Sequence, residues 1–236
     1  MPPIFVTATG TGVGKTFVTC ALVRSLRTAG RPVQVLKPVA SGIDPDAPEG
    51  SDTALLIEAL GQPLTPAAMD AVSLWRFRAP LAPNMAARRE GCSLGLDEVI
   101  AFCRRALAAT GSETWTVIEG VGGIMAPIDD EHTVLDWMTA LSPRPALVAG
   151  SYVGTISHTL TALEGLLRRG LKPAAVIISE SGTDEEPPVT ETLDALARLA
   201  PGAPLVALPR LRADAAVDHP AIRRVLDLLD AAGPER

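Results

Sequence analysis

The sequence predicts an α/β fold in which a mostly parallel central sheet is covered by helices on both faces. Short apolar runs of strand length alternate with longer segments of helical periodicity along the chain. The apolar runs are nearly continuous, which is typical of parallel strands that are buried on both faces. We therefore expect right-handed connections and ligand sites at the carboxyl ends of the strands. The 236 residues are expected to form one domain over residues 1–236.

Each expected element rests on a local pattern. The strands are runs of Val, Ile, Leu and Ala, and the helices have apolar residues three and four positions apart. Glycine ends several helices, and Ser51-Asp52 is a typical helix start. We expect strands at 4–6, 33–39, 115–119, 146–149, 174–178 and 205–208. We expect helices at 17–29, 53–60, 96–109, 134–141, 156–169, 189–199 and 222–232. The proline-containing stretch 63–83 is expected to be irregular, and 183–188 to be a polar surface loop.

A glycine-rich segment connects the first strand to the first helix. It reads Val6-Thr-Ala-Thr-Gly-Thr-Gly-Val-Gly-Lys-Thr16. Glycines let backbone N–H groups converge on phosphate oxygens, and a helix N-terminus and a lysine add positive charge. The hydroxyl of Thr16 is placed to bind Mg²⁺. The segment therefore predicts a P-loop NTPase-like domain that binds a nucleoside triphosphate, although the standard spacing would require glycine at Thr9.

Charged residues follow two other strands. Lys37, fixed by a following proline, either contacts a phosphate or leaves the sheet as a solvated lysine, and the sequence favours neither. Glu119 ends the third expected strand, where an acidic residue commonly completes a Mg²⁺ shell, and its alternative role is a helix or turn cap. Asp52 has the same two interpretations, because Ser51-Asp52 is also ordinary capping chemistry.

Composition excludes several classes of protein. The net charge of −6 argues against a nucleic-acid-binding surface. No apolar run reaches the roughly 18 residues of a membrane span, and the N-terminus has no basic leader, so we expect a cytoplasmic protein. The three cysteines have no metal-ligand spacing, and Cys20 and Cys103 are expected in the core. The three histidines are scattered, and no nucleophile triad is indicated.

Four motifs, in a fixed order along the chain, together resemble those of a known enzyme family. The sequence resembles the dethiobiotin synthetase family, ATP-dependent enzymes that close the ureido ring in biotin synthesis. That family has a modified P-loop whose first glycine stands five residues before Gly-Lys-Thr, a place that Ala8 takes here. The matching segments are 6–16, Lys37-Pro-Val-Ala-Ser-Gly42, Ser51-Asp52 with Glu119-Gly-Val-Gly-Gly123, and the proline-rich Ala79–Ala87, which has Asn84 where histidine is frequent.

The resemblance implies a reaction. A carbamate forms from CO₂ and the 7-amino group of 7,8-diaminononanoate and attacks the γ-phosphate of ATP. The 8-amino group then closes the ring and releases phosphate. The implied catalytic residues are Lys15, Lys37 and Thr11, and the implied Mg²⁺ ligands are Thr16, Asp52 and Glu119. The resemblance also implies a homodimer with the diamine site at the subunit interface, and partners that include neither nucleic acid nor membrane.

The same resemblance assigns the binding residues. Those assigned to the diamine and carbamate are Ser41, Lys37 and Gly123. Those assigned to ATP and its Mg²⁺ are Gly12, Val13, Gly14, Lys15, Thr16, Phe17, Asp52, Glu119, Gly120, Val121, Gly122, Ser179, Leu208, Pro209 and Arg210. The family often reads adenine with an asparagine where this chain has Ser179, whose side chain reaches less far. We therefore expect relaxed nucleotide selectivity, with 208–210 flanking the base.

Two other kinds of protein share parts of this pattern. Amide-forming synthetases of the cobyrinate type have a related loop, but they carry a glutamine-hydrolysing domain for which this chain has no room. Partitioning ATPases are dimerising switches whose deviant loop has a signature lysine at the position of Gly10. Neither alternative accounts for all four motifs.

Overall fold

The computed structural model describes residues 1–181, 186–212 and 215–232, so part of the expected loop at 183–188 lies outside the described residues. The strands are β1 (Ile4–Ala8), β2 (Val33–Leu36), β3 (Val39–Ser41), β4 (Trp75–Phe77), β5 (Trp115–Glu119), β6 (Arg144–Gly150), β7 (Ala175–Ser179) and β8 (Leu205–Leu208). The helices are α1 (Lys15–Thr28), α2 (Asp52–Ala59), α3 (Pro66–Val72), α4 (Pro83–Arg89), α5 (Leu96–Ala108), α6 (Val134–Leu141), α7 (Thr155–Arg168), α8 (Val189–Leu199) and α9 (Pro220–Ala231). Among the described residues, no helix has both the length and the apolar character needed to span a membrane.

Six strands form the central sheet in the order β2-β5-β1-β6-β7-β8. Every neighbouring pair is parallel, which confirms the expected sheet. β1 lies near the middle, with Val6 opposite Glu119 of β5 on one side and opposite Ala146 of β6 on the other. The carboxyl ends of these strands therefore meet at one edge of the sheet, beside the glycine-rich loop.

The two faces of the sheet pack against different helices. Alternate residues of β1 belong to different cores, because successive side chains of a strand point to opposite faces. Phe5 packs with residues of α5 to α8 and has an edge-on contact with Trp137, whose ring centroid lies 4.8 Å away. Ile4 and Val6 pack with residues of α1, α2 and α9. Helices thus cover both faces, as the continuous apolar strands predict.

The expected strand at 33–39 is wrong in its second half. β2 ends at Leu36, and Val39–Ser41 instead pairs with β4 in a separate two-stranded parallel sheet. Pro38 explains the break, because proline has no N–H to donate to a strand ladder. Lys37 therefore lies between the two sheets, where its backbone N–H donates to the carbonyl of Val72 at 2.8 Å.

The expectation of an irregular segment at 63–83 is also wrong. This segment contains α3, β4 and the first residue of α4. Pro66 and Pro83 stand in the first turns of α3 and α4, where a missing N–H costs nothing because it would have no partner in the helix. Proline here starts helices rather than preventing them.

The cysteines lie where the sequence indicates. Cys20 and Cys103 are buried and free, as expected for core residues, and Cys92 is free and exposed. Burial raises the pKa of both buried thiols to about 12, so they stay protonated at neutral pH.

Candidate active site

The glycine-rich loop leads from β1 directly into α1. Helix α1 begins at Lys15, two residues earlier than the sequence pattern indicates. Gly12 and Gly14 have φ values of 76° and 98°, which glycine adopts without the steric cost that other residues meet. Gly14 also packs closely, since a Cβ atom there would lie 2.9 Å from the Oγ of Ser179. The loop and the helix N-terminus thus form a phosphate-sized cradle at the end of β1.

Ala8 does not strain this loop. It is the last residue of β1 and is fully buried. Among the described residues, Ser142 is the one non-glycine residue with a positive φ, so Ala8 has an ordinary strand backbone. Alanine therefore fits the position at which the resembled family has its first glycine.

A network of charges, in which Lys37 and Glu119 are buried and Asp52 is exposed, lies beside the loop. The Nζ atom of Lys37 is 2.5 Å from Oε1 of Glu119 and 3.0 Å from Oδ2 of Asp52. The hydroxyl of Thr16 donates to Oε1 of Glu119 at 2.8 Å, and Nζ of Lys15 donates to the carbonyl of Gly10 at 3.0 Å. Because only 3% of Lys37 is exposed, its interpretation as a solvated lysine is wrong.

In this network the effect of burial on the pKa values of Lys37 and Asp52 is offset by neighbouring opposite charges. Burial alone would lower the pKa of Lys37, but the carboxylates of Glu119 and Asp52 outweigh it and raise that pKa. Burial would raise the pKa of Asp52, but the Lys37 ammonium and the Thr16 hydroxyl lower it. Burial lowers the pKa of Lys15 to about 8, and the nearby charge of Lys37 adds to the effect. Lys37 thus stays protonated and Asp52 ionised at neutral pH.

Capping is not the role of either carboxylate. Ser51 is the N-cap of α2, and its side chain accepts a hydrogen bond from the N–H of Ala54 at 3.2 Å. Asp52 is thereby left to contact Lys37, and Glu119 is fully buried within the network. The capping alternative is therefore wrong for Glu119, whereas Ser51-Asp52 starts α2 as expected, with Ser51 as the cap and Asp52 in the first turn.

The network can hold a divalent cation. Oε2 of Glu119 is buried without a hydrogen-bond partner among the described residues. Such an atom is costly unless something binds it. Together with Thr16 and Asp52 it offers the hard oxygen ligands that Mg²⁺ prefers, and Mg²⁺ needs few protein ligands because it keeps several waters. Within the described ranges no group of three or more His, Cys, Asp or Glu side chains offers another metal site.

A cleft of about 1330 Å³ opens over this network, and we call it the first cleft. Its lining includes the loop residues, Lys37 and Asp52, and the expected site residues Thr11, Ser41, Val121, Gly122 and Gly123. It also includes Pro80–Pro83 of the proline-rich segment Ala79–Ala87, which is one of the four motifs of the sequence. Other lining groups were not singled out for a site by the sequence: Ile124–Ala126, and His158, Thr161, Ala162, Glu164, Gly165 and Arg168 of α7. Helix α7 follows the carboxyl end of β6, so the strand-end rule could have indicated it.

A second cleft of about 750 Å³ lies on the other side of the same loop. It contains Val13, Phe17 and the expected residues Ser179, Pro209 and Arg210. Tyr152, Glu180, Ser181, Glu186 and Leu211 complete its lining and were not predicted from the sequence. The two clefts share Gly10, Thr11, Gly12, Gly14 and Phe17.

Besides fully buried Glu119, two expected site residues lie behind the clefts rather than in their walls. The N–H of Gly120 donates to the carbonyl of Val6 at 2.9 Å, and a Cβ atom there would lie 2.8 Å from the ring of Phe5. Leu208 is buried, and its carbonyl accepts a hydrogen bond from the N–H of Glu180 at 2.8 Å. Both residues support the walls in this structure.

Comparison with known proteins identifies the family. A family model described as "AAA domain" matches residues 3–213. An ATP-dependent dethiobiotin synthetase of Methylobacterium nodulans is 50% identical over 202 residues, covering 84% of this chain and 89% of that protein. One of Caulobacter vibrioides is 49% identical over 210 residues, covering 89% of this chain and 93% of that protein. The chain belongs to the dethiobiotin synthetase family.

The solved structures resemble this chain in fold alone. A MinC:MinD cell division complex of Aquifex aeolicus aligns with a TM-score of 0.55 at 13% identity, covering 100% of this chain and 97% of that chain. MinD of the same organism aligns with a TM-score of 0.54 at 16% identity, covering 100% and 98% of the two chains. These proteins confirm the P-loop α/β fold. The partitioning-ATPase and cobyrinate-type alternatives give way to the dethiobiotin synthetase family, whose members match at far higher identity.

Proposed function

We propose that this member of the dethiobiotin synthetase family converts 7,8-diaminononanoate, CO₂ and ATP to dethiobiotin, ADP and phosphate. The observation that carries the proposal is the network in which buried Lys37 and Glu119 contact Asp52 and Thr16 beside a glycine-rich loop, in a chain 50% identical to a dethiobiotin synthetase. The reaction develops negative charge at the γ-phosphate and the carbamate. A buried site with fixed cations stabilises such charge far better than water does.

In the first step the 7-amino nitrogen adds to the carbon of CO₂ and loses a proton, giving a carbamate. A carbamate oxygen then attacks the γ-phosphorus, the bond to the bridging oxygen breaks, and ADP leaves. Lys37 and Lys15 neutralise the transferring group, and loop N–H groups at Gly12 and Gly14 bind its oxygens. Thr11, Ser41 and Gly123 position the carbamate and the diamine. The last two line the first cleft, and Thr11 lies where the two clefts meet.

In the second step the 8-amino nitrogen attacks the carbonyl carbon of the mixed anhydride. The carbon–oxygen bond to phosphate breaks, the nitrogen loses a proton, and the ureido ring closes. The protein supplies no nucleophile, because the substrate carries both amines. The task of the chain is to hold the two reactants together and exclude water.

Mg²⁺ is the proposed metal, held by Thr16, Asp52 and Glu119. Bound there, it would withdraw negative charge from the phosphate groups of the nucleotide. Oε2 of Glu119, which has no hydrogen-bond partner among the described residues, supports this assignment. Lys37 contacts both carboxylates in this structure. With a cation held by Glu119 and Asp52, Lys37 would be available to neutralise the γ-phosphate.

The nucleotide is proposed to extend from the first cleft into the second, with its base beside Ser179 and Arg210. The short Ser179 side chain supports relaxed nucleotide selectivity. We also propose a homodimer whose interface includes the first cleft, and a cytoplasmic location. The location rests on the family resemblance and on free thiols at Cys20, Cys92 and Cys103, which suit a reducing compartment.

Phosphate release tests the proposal. The protein is incubated with Mg²⁺, ATP, 7,8-diaminononanoate and ¹³C-bicarbonate, and each component is omitted in turn. Release that needs all of them, with ¹³C in the ureido carbon of dethiobiotin, is the expected result. Release of phosphate that ignores the diamine would overturn the proposal and favour an ATPase switch.

A further inference from the structure

Glu180 has a fixed position in the second cleft. Its backbone N–H donates to the carbonyl of Leu208, and its Oε2 accepts a hydrogen bond from the N–H of Arg210, both at 2.8 Å. These two contacts tie the end of β7 to the end of β8. The other carboxylate oxygen, Oε1, has no hydrogen-bond partner among the described residues, and the side chain lines the cleft. One acceptor oxygen is therefore available to a ligand.

The distribution of charge in this cleft indicates how a nucleotide would be oriented in it. The loop end of the cleft presents glycine backbone and the N-terminus of α1, which attract an anion. The rest of its lining includes the acidic residues Glu180 and Glu186 and the basic residue Arg210. Two carboxylates disfavour a second anionic group there, but they favour hydrogen-bond donors. A nucleotide whose phosphates lie on the loop would thus bring its base, the part that carries neutral donors, towards Glu180.

We propose that Glu180 reads the nucleobase and selects bases that carry an exocyclic amine. This inference rests on the proposed nucleotide site and goes beyond it. A carboxylate only accepts hydrogen bonds, so Oε1 pairs with the amino group of adenine, cytosine or guanine. It repels the carbonyl oxygen that uracil presents in place of the cytosine amine. Relaxed selectivity among ATP, CTP and GTP and rejection of UTP then have one common cause.

Matched pairs of nucleotides isolate the amine. CTP and UTP differ at position 4 of the base, GTP differs from ITP by its 2-amino group, and ATP differs from purine riboside triphosphate by its 6-amino group. The expected kcat/KM for diamine-dependent phosphate release is at least about tenfold higher for CTP than for UTP, because UTP loses a hydrogen bond to a charged acceptor and places a carbonyl oxygen against that acceptor instead. One of the two purine pairs should show a preference of the same sign.

Glu180→Gln separates base reading from a structural role. Glutamine keeps an acceptor for the N–H of Arg210 but presents an NH₂ group to the base, so the preference for CTP over UTP should fall below about twofold or reverse. Glu191→Gln is the matched control, because it removes the same charge from an exposed residue that lines neither cleft. It should leave the ratio unchanged. The inference would be overturned if Glu180→Gln kept the wild-type ratio of kcat/KM for CTP to that for UTP. It would also be overturned if the wild-type protein did not prefer CTP to UTP.

Failure of this inference is distinguishable from failure of the proposed function. If diamine-dependent release occurs with all the nucleotides at equal kcat/KM, the reaction stands and Glu180 does not read the base. If no nucleotide supports diamine-dependent release, the proposed function fails and this inference falls with it. Thermal stability of each variant, measured without nucleotide, identifies any loss that arises from unfolding.

Discussion

The two clefts on either side of the glycine-rich loop differ in how they hold their charges. At the first cleft Lys37 and Glu119 form a buried ion pair, 3% and 0% exposed, and Lys37 also contacts Asp52, whose side chain is about half exposed at the cleft wall. In the second cleft Ser179 and Glu180 are partly exposed and Arg210 is exposed. A buried charge interacts more strongly with its partner than an exposed charge does, because water does not screen the interaction. Loss of that partner is also more costly, because water cannot take its place.

This difference separates two tasks. A reaction that develops charge needs preorganised, water-excluded groups, and the first cleft provides them. Recognition of a base needs hydrogen bonds that add only modest energy, and the second cleft provides those. Substitutions in the first cleft should therefore change the maximal rate, whereas those in the second should change the preference among nucleotides.

The largest effect is expected for Lys37→Gln. It removes a fixed cation from the transition state and leaves Glu119 and Asp52 without their shared partner, so kcat should fall by about 10²–10³-fold. Calorimetric titration should show ATP binding retained within about tenfold, because the loop and Lys15 remain. Lys172→Gln, at an exposed lysine of the same chain, is the control and should leave kcat unchanged. A kcat within a few-fold of the wild type would contradict the assigned role of Lys37.

Gly14→Ala should have the next largest effect, because Gly14 belongs to both clefts. Alanine at a φ of 98° costs about 1–2 kcal/mol, and its Cβ would lie 2.9 Å from the Oγ of Ser179. We expect ATP affinity to fall at least about tenfold in titration calorimetry. Gly10→Ala is the matched control, since nothing lies within 4 Å of a Cβ there, and it should change affinity by no more than about twofold. Equal losses in the two variants would rule out this explanation.

The pH dependence of ATP binding should reflect Lys15. Its pKa of about 8 in this structure means that the unliganded chain loses this cation as the pH rises above 8. ATP affinity should then fall by up to about tenfold per pH unit. Lys15→Arg stays charged and should have a flatter profile. The contribution of Lys15 to folding has the opposite sign. Between pH 8 and the ordinary lysine pKa of 10.5 the folded state binds fewer protons than the unfolded state, so Lys15 destabilises the fold less as the pH rises through that window.

The smallest effect is expected in the wild-type chain itself. The Ser179 side chain is shorter than the asparagine with which the family often reads adenine. We therefore expect kcat/KM for ATP to exceed that for CTP and GTP by less than about tenfold. Initial rates of diamine-dependent phosphate release measure this directly. A larger preference for ATP would show that another group reads adenine.

The sequence predicts the first cleft better than the second. Lys15, Thr16, Lys37, Asp52 and Glu119 follow strands or start helices, and the carboxyl ends of neighbouring parallel strands must lie together. Local signals are therefore enough for the first cleft. Walls of the second cleft, such as Tyr152 and Glu180, come from segments far apart in sequence. Their meeting depends on the order β6-β7-β8, which no local pattern gives.

The errors in the fold have a similar origin. The end of β2 at Leu36 could not be predicted locally, because Val39–Ser41 pairs instead with β4, a strand that is distant in sequence. The burial of Lys37 could not be predicted either, because its partners Asp52 and Glu119 lie on separate elements. Pro66 was misjudged for a local reason, since proline both interrupts strands and starts helices.

The separation of tasks between the two clefts is tested most directly by single-turnover phosphate release in Lys37→Gln and Glu180→Gln, each with CTP and with UTP. The account predicts that Lys37→Gln lowers the rate of phosphate release from CTP and from UTP by the same factor. It also predicts that Glu180→Gln changes the ratio of these two rates, while the maximal rate with CTP stays within a few-fold of the wild-type rate. It would be contradicted if Lys37→Gln changed the ratio, or if Glu180→Gln lowered the maximal rate as severely as Lys37→Gln does.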